Sequence, residues 1–100
     1  MIEKNKEVCI NGEKLLLALK DIEYMLISLH AIGSHYAPDL PEKALEYRAR
    51  TTQFIDDGKV TERLAQIRRT LSSAFDQTRG DDDLTDVERA LDDLVFWKPL

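Results

Sequence analysis

One hundred residues, 43% of them hydrophobic and 33% charged, with a net charge of −5, leave room for one modest core and no second one. That acidic balance has the wrong sign for counterion-release binding to nucleic acid. Cys9, the sole cysteine, excludes an internal disulfide and suits a reducing compartment.

Residues 1–10 read as a polar N-terminal arm, and residues 11–100 as a single helical domain. Met1 to Glu7 offers no apolar signal-peptide core, so the chain is expected to stay in the cytoplasm. Asn11 is placed to cap a first helix, in which Leu15, Leu19, Ile22, Leu26 and Leu29 recur at steps of four and three. Ala18, Met25 and Ile32 widen the stripe, and Gly33 supplies a stop. Lys20, Asp21 and Glu23 interrupt this segment well short of the roughly twenty apolar residues that span a membrane.

Pro41 suits the first turn of a second helix, which runs through Tyr47 and Phe54 to Asp57 and Gly58. Arg48 and Arg50 in its middle imply a narrow buried face. Thr61 can cap a third helix carrying Val60, Leu64, Ile67, Leu71 and Phe75 at the same spacing, up to Gly80. A fourth helix opens on the capping box of Thr85 and Glu88. It carries Leu84, Val87, Leu91, Leu94 and Val95 toward Pro99. With short connections these elements predict an all-α protein, a compact antiparallel bundle of four helices, with Leu26, Ile67 and Leu91 in the core.

The chain carries no recognisable chemistry. His30 and His35 are five residues apart and do not share a helical face, so no metal site is expected. No nucleophile constellation or phosphate-cradling glycine loop occurs, so neither an enzyme nor a cofactor is expected. Lys59, Arg63, Arg68, Arg69 and Arg79 give the third helix a basic side. The acidic segment that follows opposes a DNA-binding role.

Charge is concentrated late in the chain. Asp81, Asp82, Asp83, Asp86, Glu88, Asp92 and Asp93 face only Arg89, a balance of −6 in thirteen residues. Capping and the positive end of the helix dipole can account for some of the carboxylates near Thr85, which leaves Asp81 to Asp83 open to either reading. Asp92 and Asp93 lie too far along for the dipole to reach. An acidic face without catalytic groups points to docking on a basic protein partner.

The segment Glu42-Lys43-Ala44-Leu45-Glu46-Tyr47, the turn at Asp57-Gly58, Leu64 and Ile67 ahead of Ser72-Ser73-Ala74, and the acidic approach to Glu88-Arg89-Ala90-Leu91-Asp92-Asp93 carry a resemblance. Over that half of the chain it resembles the small helical immunity proteins of type VI secretion systems, in particular those that neutralise NAD(P)+ glycohydrolase toxins. The resemblance implies a cytoplasmic, non-enzymatic inhibitor that occludes the basic substrate cleft of a cognate toxin. The residues expected to bind such a partner are Asp82, Asp83, Asp92 and Asp93 as carboxylates, with Trp97, Phe96, Tyr36 and Tyr47 as the available aromatic anchors and Asp39 in the loop before the second helix. Other readings stay open. One is a regulatory or adaptor bundle of phage or toxin–antitoxin type acting through protein contacts; others are a structural homodimer or an enzyme subunit.

Overall fold

In the computed structural model the described residues are 1–36 and 39–100, and they are helical, with no strand among them. Ala37 and Pro38, read above as part of a connecting loop, lie outside the described residues. The chain divides into two compact units, one of residues 11–70 and the other of residues 1–10 with 71–100. The expected polar arm therefore groups with the C-terminal segment, for a reason given by Asn5 below.

In the first unit, helix α1 spans Gly12–Tyr36, α2 spans Pro41–Asp57 and α3 begins at Val60 and ends at Ser72. The Asn11 side chain caps α1 by accepting the Lys14 N–H at 3.1 Å. Gly33 does not stop the helix, which continues three residues further. A glycine costs a helix only about 1 kcal/mol, and no glycine here adopts the positive φ of a left-handed cap. Pro41 opens α2 as expected, and α2 buries no residue fully, in keeping with Arg48 and Arg50 on its surface.

The inward face of α1 differs from the expected one. Ala18 and Met25 are buried with Ile67 of α3, and Val60 packs against them. Leu26, expected in the core, is 59% exposed, and Leu19, Ile22 and Leu29 of the same row are exposed as well. Apolar residues cover so much of the α1 circumference that periodicity alone cannot choose its buried side. Polar and aromatic contacts made at Asp21 and Tyr24 choose it instead.

Those contacts centre on Arg63. Its Nη1 donates to Asp21 Oδ1 at 2.6 Å, its guanidinium stacks 4.2 Å from the Tyr24 ring centre, and its Nε donates to the Gly58 carbonyl at 2.8 Å. Tyr24 in turn meets Phe54 of α2 with ring centres 5.7 Å apart. One side chain of α3 thus ties α1 to the end of α2, combining a half-buried ion pair with a cation–π contact. This arginine belongs to the basic row of the third helix, and its guanidinium is engaged in packing between helices.

The turn between α2 and α3 is tight. The Gly58 N–H donates to the Phe54 carbonyl at 2.7 Å, and Lys59 takes a left-handed φ of 55° before its carbonyl accepts the Arg63 N–H. That carbonyl makes Lys59, not Thr61, the entry to α3, and Thr61 lies within the first turn. A Cβ at Gly58 would stand 2.6 Å from Phe54 Cε1 and 2.7 Å from the Phe54 carbonyl oxygen. Gly58→Ala is therefore expected to destabilise the chain by about 1–3 kcal/mol, read as a lower midpoint in urea. Lys59→Gly, which relieves the left-handed side chain, is expected to move it the other way.

In the second unit, helix α4 is the short segment Asp86–Leu91. The capping box at its start is as expected, with Glu88 N–H to Thr85 Oγ1 and Thr85 N–H to Glu88 Oε1 both 3.1 Å. The helix does not run on to Pro99. Asp92 and Asp93 put two negative charges at its negative end, and Val95, Phe96 and Trp97 are poor helix formers with no face to bury. Leu91, expected in the core, is 48% exposed. Nor does α3 reach Gly80: after Ser72 two tight turns, Ala74 N–H to Leu71 and Phe75 N–H to Ser72, lead into Asp76.

Candidate docking surface in the acidic segment

Asn5 is the least expected residue of the second unit. It sits at the end of a single 3-10 turn, Glu3–Asn5, and is buried. Its Oδ1 accepts the Asp76 N–H at 2.7 Å while its Nδ2 donates to the Asp76 carbonyl at 3.2 Å and to Asp86 Oδ2 at 2.8 Å. The amide thereby copies the pairing of a peptide group and joins the N-terminal segment to Asp76, ahead of the acidic run, and to Asp86 within it. The Ile2 N–H adds a second donor to Asp86 Oδ2 at 2.9 Å. No feature of the sequence singled out Asn5, because a lone asparagine in a charged arm carries no pattern.

Arg89 organises the acidic run. Its Nε and Nη2 grip both oxygens of Asp82 at 2.8 Å, its Nη1 donates to Asp86 Oδ1 at 2.8 Å, and its Nη2 also reaches the Leu84 carbonyl at 3.2 Å. The loop it closes is itself hydrogen-bonded, Asp83 N–H to the Gly80 carbonyl and Gly80 N–H to the Leu84 carbonyl. Asp83 stands in it at a φ of 62°, a conformation aspartate tolerates better than most residues. Arg79 donates to the Asp83 carbonyl and pairs with Glu88 at 3.5 Å.

These contacts set the charge states. The Arg89 hydrogen bonds hold the Asp82 carboxyl far below the usual range, and Asp82 and Asp86 raise Arg89 in return. Asn5 first, then the Ile2 N–H, hold Asp86 down; the Thr85 backbone N–H and then its hydroxyl do the same for Glu88. Asp76 is lowered by the Thr78 hydroxyl and then its N–H. For a carboxyl whose folded pKa lies below its unfolded value, the stabilisation is complete above the unfolded value, about 4, and is lost as pH falls through the folded one. All four lie in the unit of residues 1–10 and 71–100. Lowering pH from 5 toward 2 is thus expected to reduce amide protection, relative to intrinsic exchange at each pH, in that unit before residues 11–70, checked by hydrogen exchange. The opposite order would refute the assignment.

The sequence-derived site residues separate accordingly. Asp82 is committed to Arg89. Asp83, Asp92 and Asp93 are exposed, and their carboxylates meet no partner among the described residues. Trp97 is 86% exposed, beside exposed Phe96, in a segment without regular structure. Tyr36, Asp39 and Tyr47 belong to the other unit. Tyr36 is half-buried with its ring edge-on to His35 at 4.7 Å, Asp39 is exposed, and Tyr47 is half-buried with its carbonyl accepting the Thr51 hydroxyl at 2.8 Å. Asp92, Asp93 and Trp97 are near neighbours along the chain, and the two tyrosines and Asp39 belong to a different unit.

Among the described residues no group of His, Cys, Asp and Glu side chains is placed to hold a metal ion, and no helix is long and apolar enough to cross a membrane. No protein-family model, curated protein or solved structure matches the chain.

Proposed function

We propose that this chain is an immunity-type protein that binds a cognate bacterial toxin in the cytoplasm and blocks its active site without catalysis of its own. The toxin class suggested by the sequence resemblance is the NAD(P)+ glycohydrolases delivered by type VI secretion, whose substrate cleft must hold phosphates and is therefore basic. The single observation that carries the proposal is the stretch Asp92 to Trp97, where two carboxylates without internal partners adjoin two exposed aromatic rings. Carboxylates steer association with a basic cleft, and aromatic side chains supply the anchors that slow dissociation. On this proposal the helices are the scaffold, and the antiparallel bundle expected from the sequence reduces to α1, α2 and α3, α4 being a single capped turn and a half.

The test is capture of a partner from the native host, followed by kinetics. The Asp92→Asn, Asp93→Asn variant should associate more slowly with a weaker salt dependence, and adding Trp97→Ala should speed dissociation and remove protection against the co-expressed toxin. Unchanged association and full protection in the triple variant would place the interface elsewhere.

A further inference from the structure

We propose that the exposed apolar row of α1 is covered by the same row of a second copy of this chain, joining two chains helix to helix. Leu15, Leu19, Ile22, Leu26 and Leu29 step by four, three, four and three, the heptad spacing of a two-helix seam. In this chain that row points away from the core. Ala18 and Met25, the neighbouring positions on one flank, are the ones that bury against α3. Leu19, Ile22, Leu26 and Leu29 remain 40–59% exposed. A seam-spaced row left outside its own fold is the pattern of a helix with a missing helical neighbour.

Area and charge both select a second copy as that neighbour. With Leu16 alongside, five apolar side chains each have on the order of 100 Å² left to bury, so two copies remove roughly 1,000 Å² before flanking residues count, the threshold for a specific interface. The row is also self-complementary. An antiparallel pair crossing at Ile22 sets Leu15 against Leu29 and Leu19 near Leu26. Lys20 and Glu23 line the same face beside Leu16 and Leu19, and the two-fold brings Lys20 of one copy against Glu23 of the other. The charged side chains that line this face, Glu13, Lys20 and Glu23, leave a net charge of only −1, so it offers a strongly charged partner little to match. The fold has reason to need the contact, since Ala18, Met25 and Ile67 are its only buried hydrophobic residues among those described.

Sedimentation equilibrium of the full chain tests this. The expected mass at micromolar concentration is twice the 11.5 kDa chain, and Leu19→Glu or Leu26→Glu should weaken association by at least tenfold while Asp92→Asn leaves it unchanged. Should the glutamate variants fail to fold, Ile22→Cys in a Cys9→Ser background should still cross-link into a disulfide-joined dimer on mild oxidation, far faster than Leu45→Cys. A monomer at about 100 µM, or equal cross-linking at positions 22 and 45, would overturn the proposal. A monomer that still captures a toxin would leave the proposed function standing, and a dimer that captures nothing would do the reverse.

Discussion

Replacing Asn5 by leucine is expected to loosen the unit of residues 1–10 and 71–100 while leaving residues 11–70 folded. Three hydrogen bonds disappear with the amide: those to the Asp76 N–H, to the Asp76 carbonyl and to Asp86 Oδ2. A buried donor left without an acceptor costs about 1–3 kcal/mol, and with the lost pairing the total should reach about 2–4 kcal/mol. Hydrogen exchange should show the change at amides 2–6 and 74–88, with α1 to α3 protected as before. Asn5→Asp is the sharper variant. It keeps the shape but faces the Asp86 carboxylate with a second one, so its cost should be largest at neutral pH and shrink as the pair takes up a proton. A near-silent Asn5→Leu would mean that the N-terminal segment is held by something else.

The second large effect concerns Ile67. It is 8% exposed, faces Ala18 and Met25, and has few fellow core residues to share the loss. Ile67→Ala should cost about 2–5 kcal/mol, measured by denaturant unfolding of the full chain. Leu91→Ala, at the exposed end of α4, should stay within about 0.5 kcal/mol. The two would have been equal had α4 run on as a long amphipathic helix; equal losses would restore that arrangement.

Local signals carried much of the fold. Asn11, Pro41, the Asp57-Gly58 break and the Thr85–Glu88 box each act through backbone groups within four residues, and each appears in the structure where the sequence placed it. What the sequence could not show depends on partners far along the chain. Rotation of α1 is set by Asp21 and Tyr24 meeting Arg63, forty-two and thirty-nine positions away, and a helix apolar on most of its circumference hides that choice. The ends of α3 and α4 were overextended for a related reason. Periodicity continues through Phe75 and Val95, but it cannot reveal that Asn5 captures the chain at Asp76 or that the last residues have nothing to pack on.

The same distinction divides the candidate site. An acidic run reads as one feature in sequence, yet its members have different employment. Asp82, Asp86 and Glu88 are bound by Arg89, Asn5 and Thr85, residues whose spacing does not single them out except at the capping box. Asp81, Asp83, Asp92 and Asp93 are exposed and their carboxylates meet no partner among the described residues, and of these Asp92 and Asp93 are set apart in sequence by their distance from the helix start.

Amide exchange of the chain with and without its captured partner tests the docking claim most directly. Steering by Asp92 and Asp93 and anchoring by Phe96 and Trp97 predict that complex formation protects residues 92–98, which in the free chain lack regular structure and should exchange fast. The Arg89-bound loop at 80–84 should change little. Protection confined to α2 or to the Tyr36 and Asp39 region, with residues 92–98 exchanging as fast as in the free chain, would contradict the account.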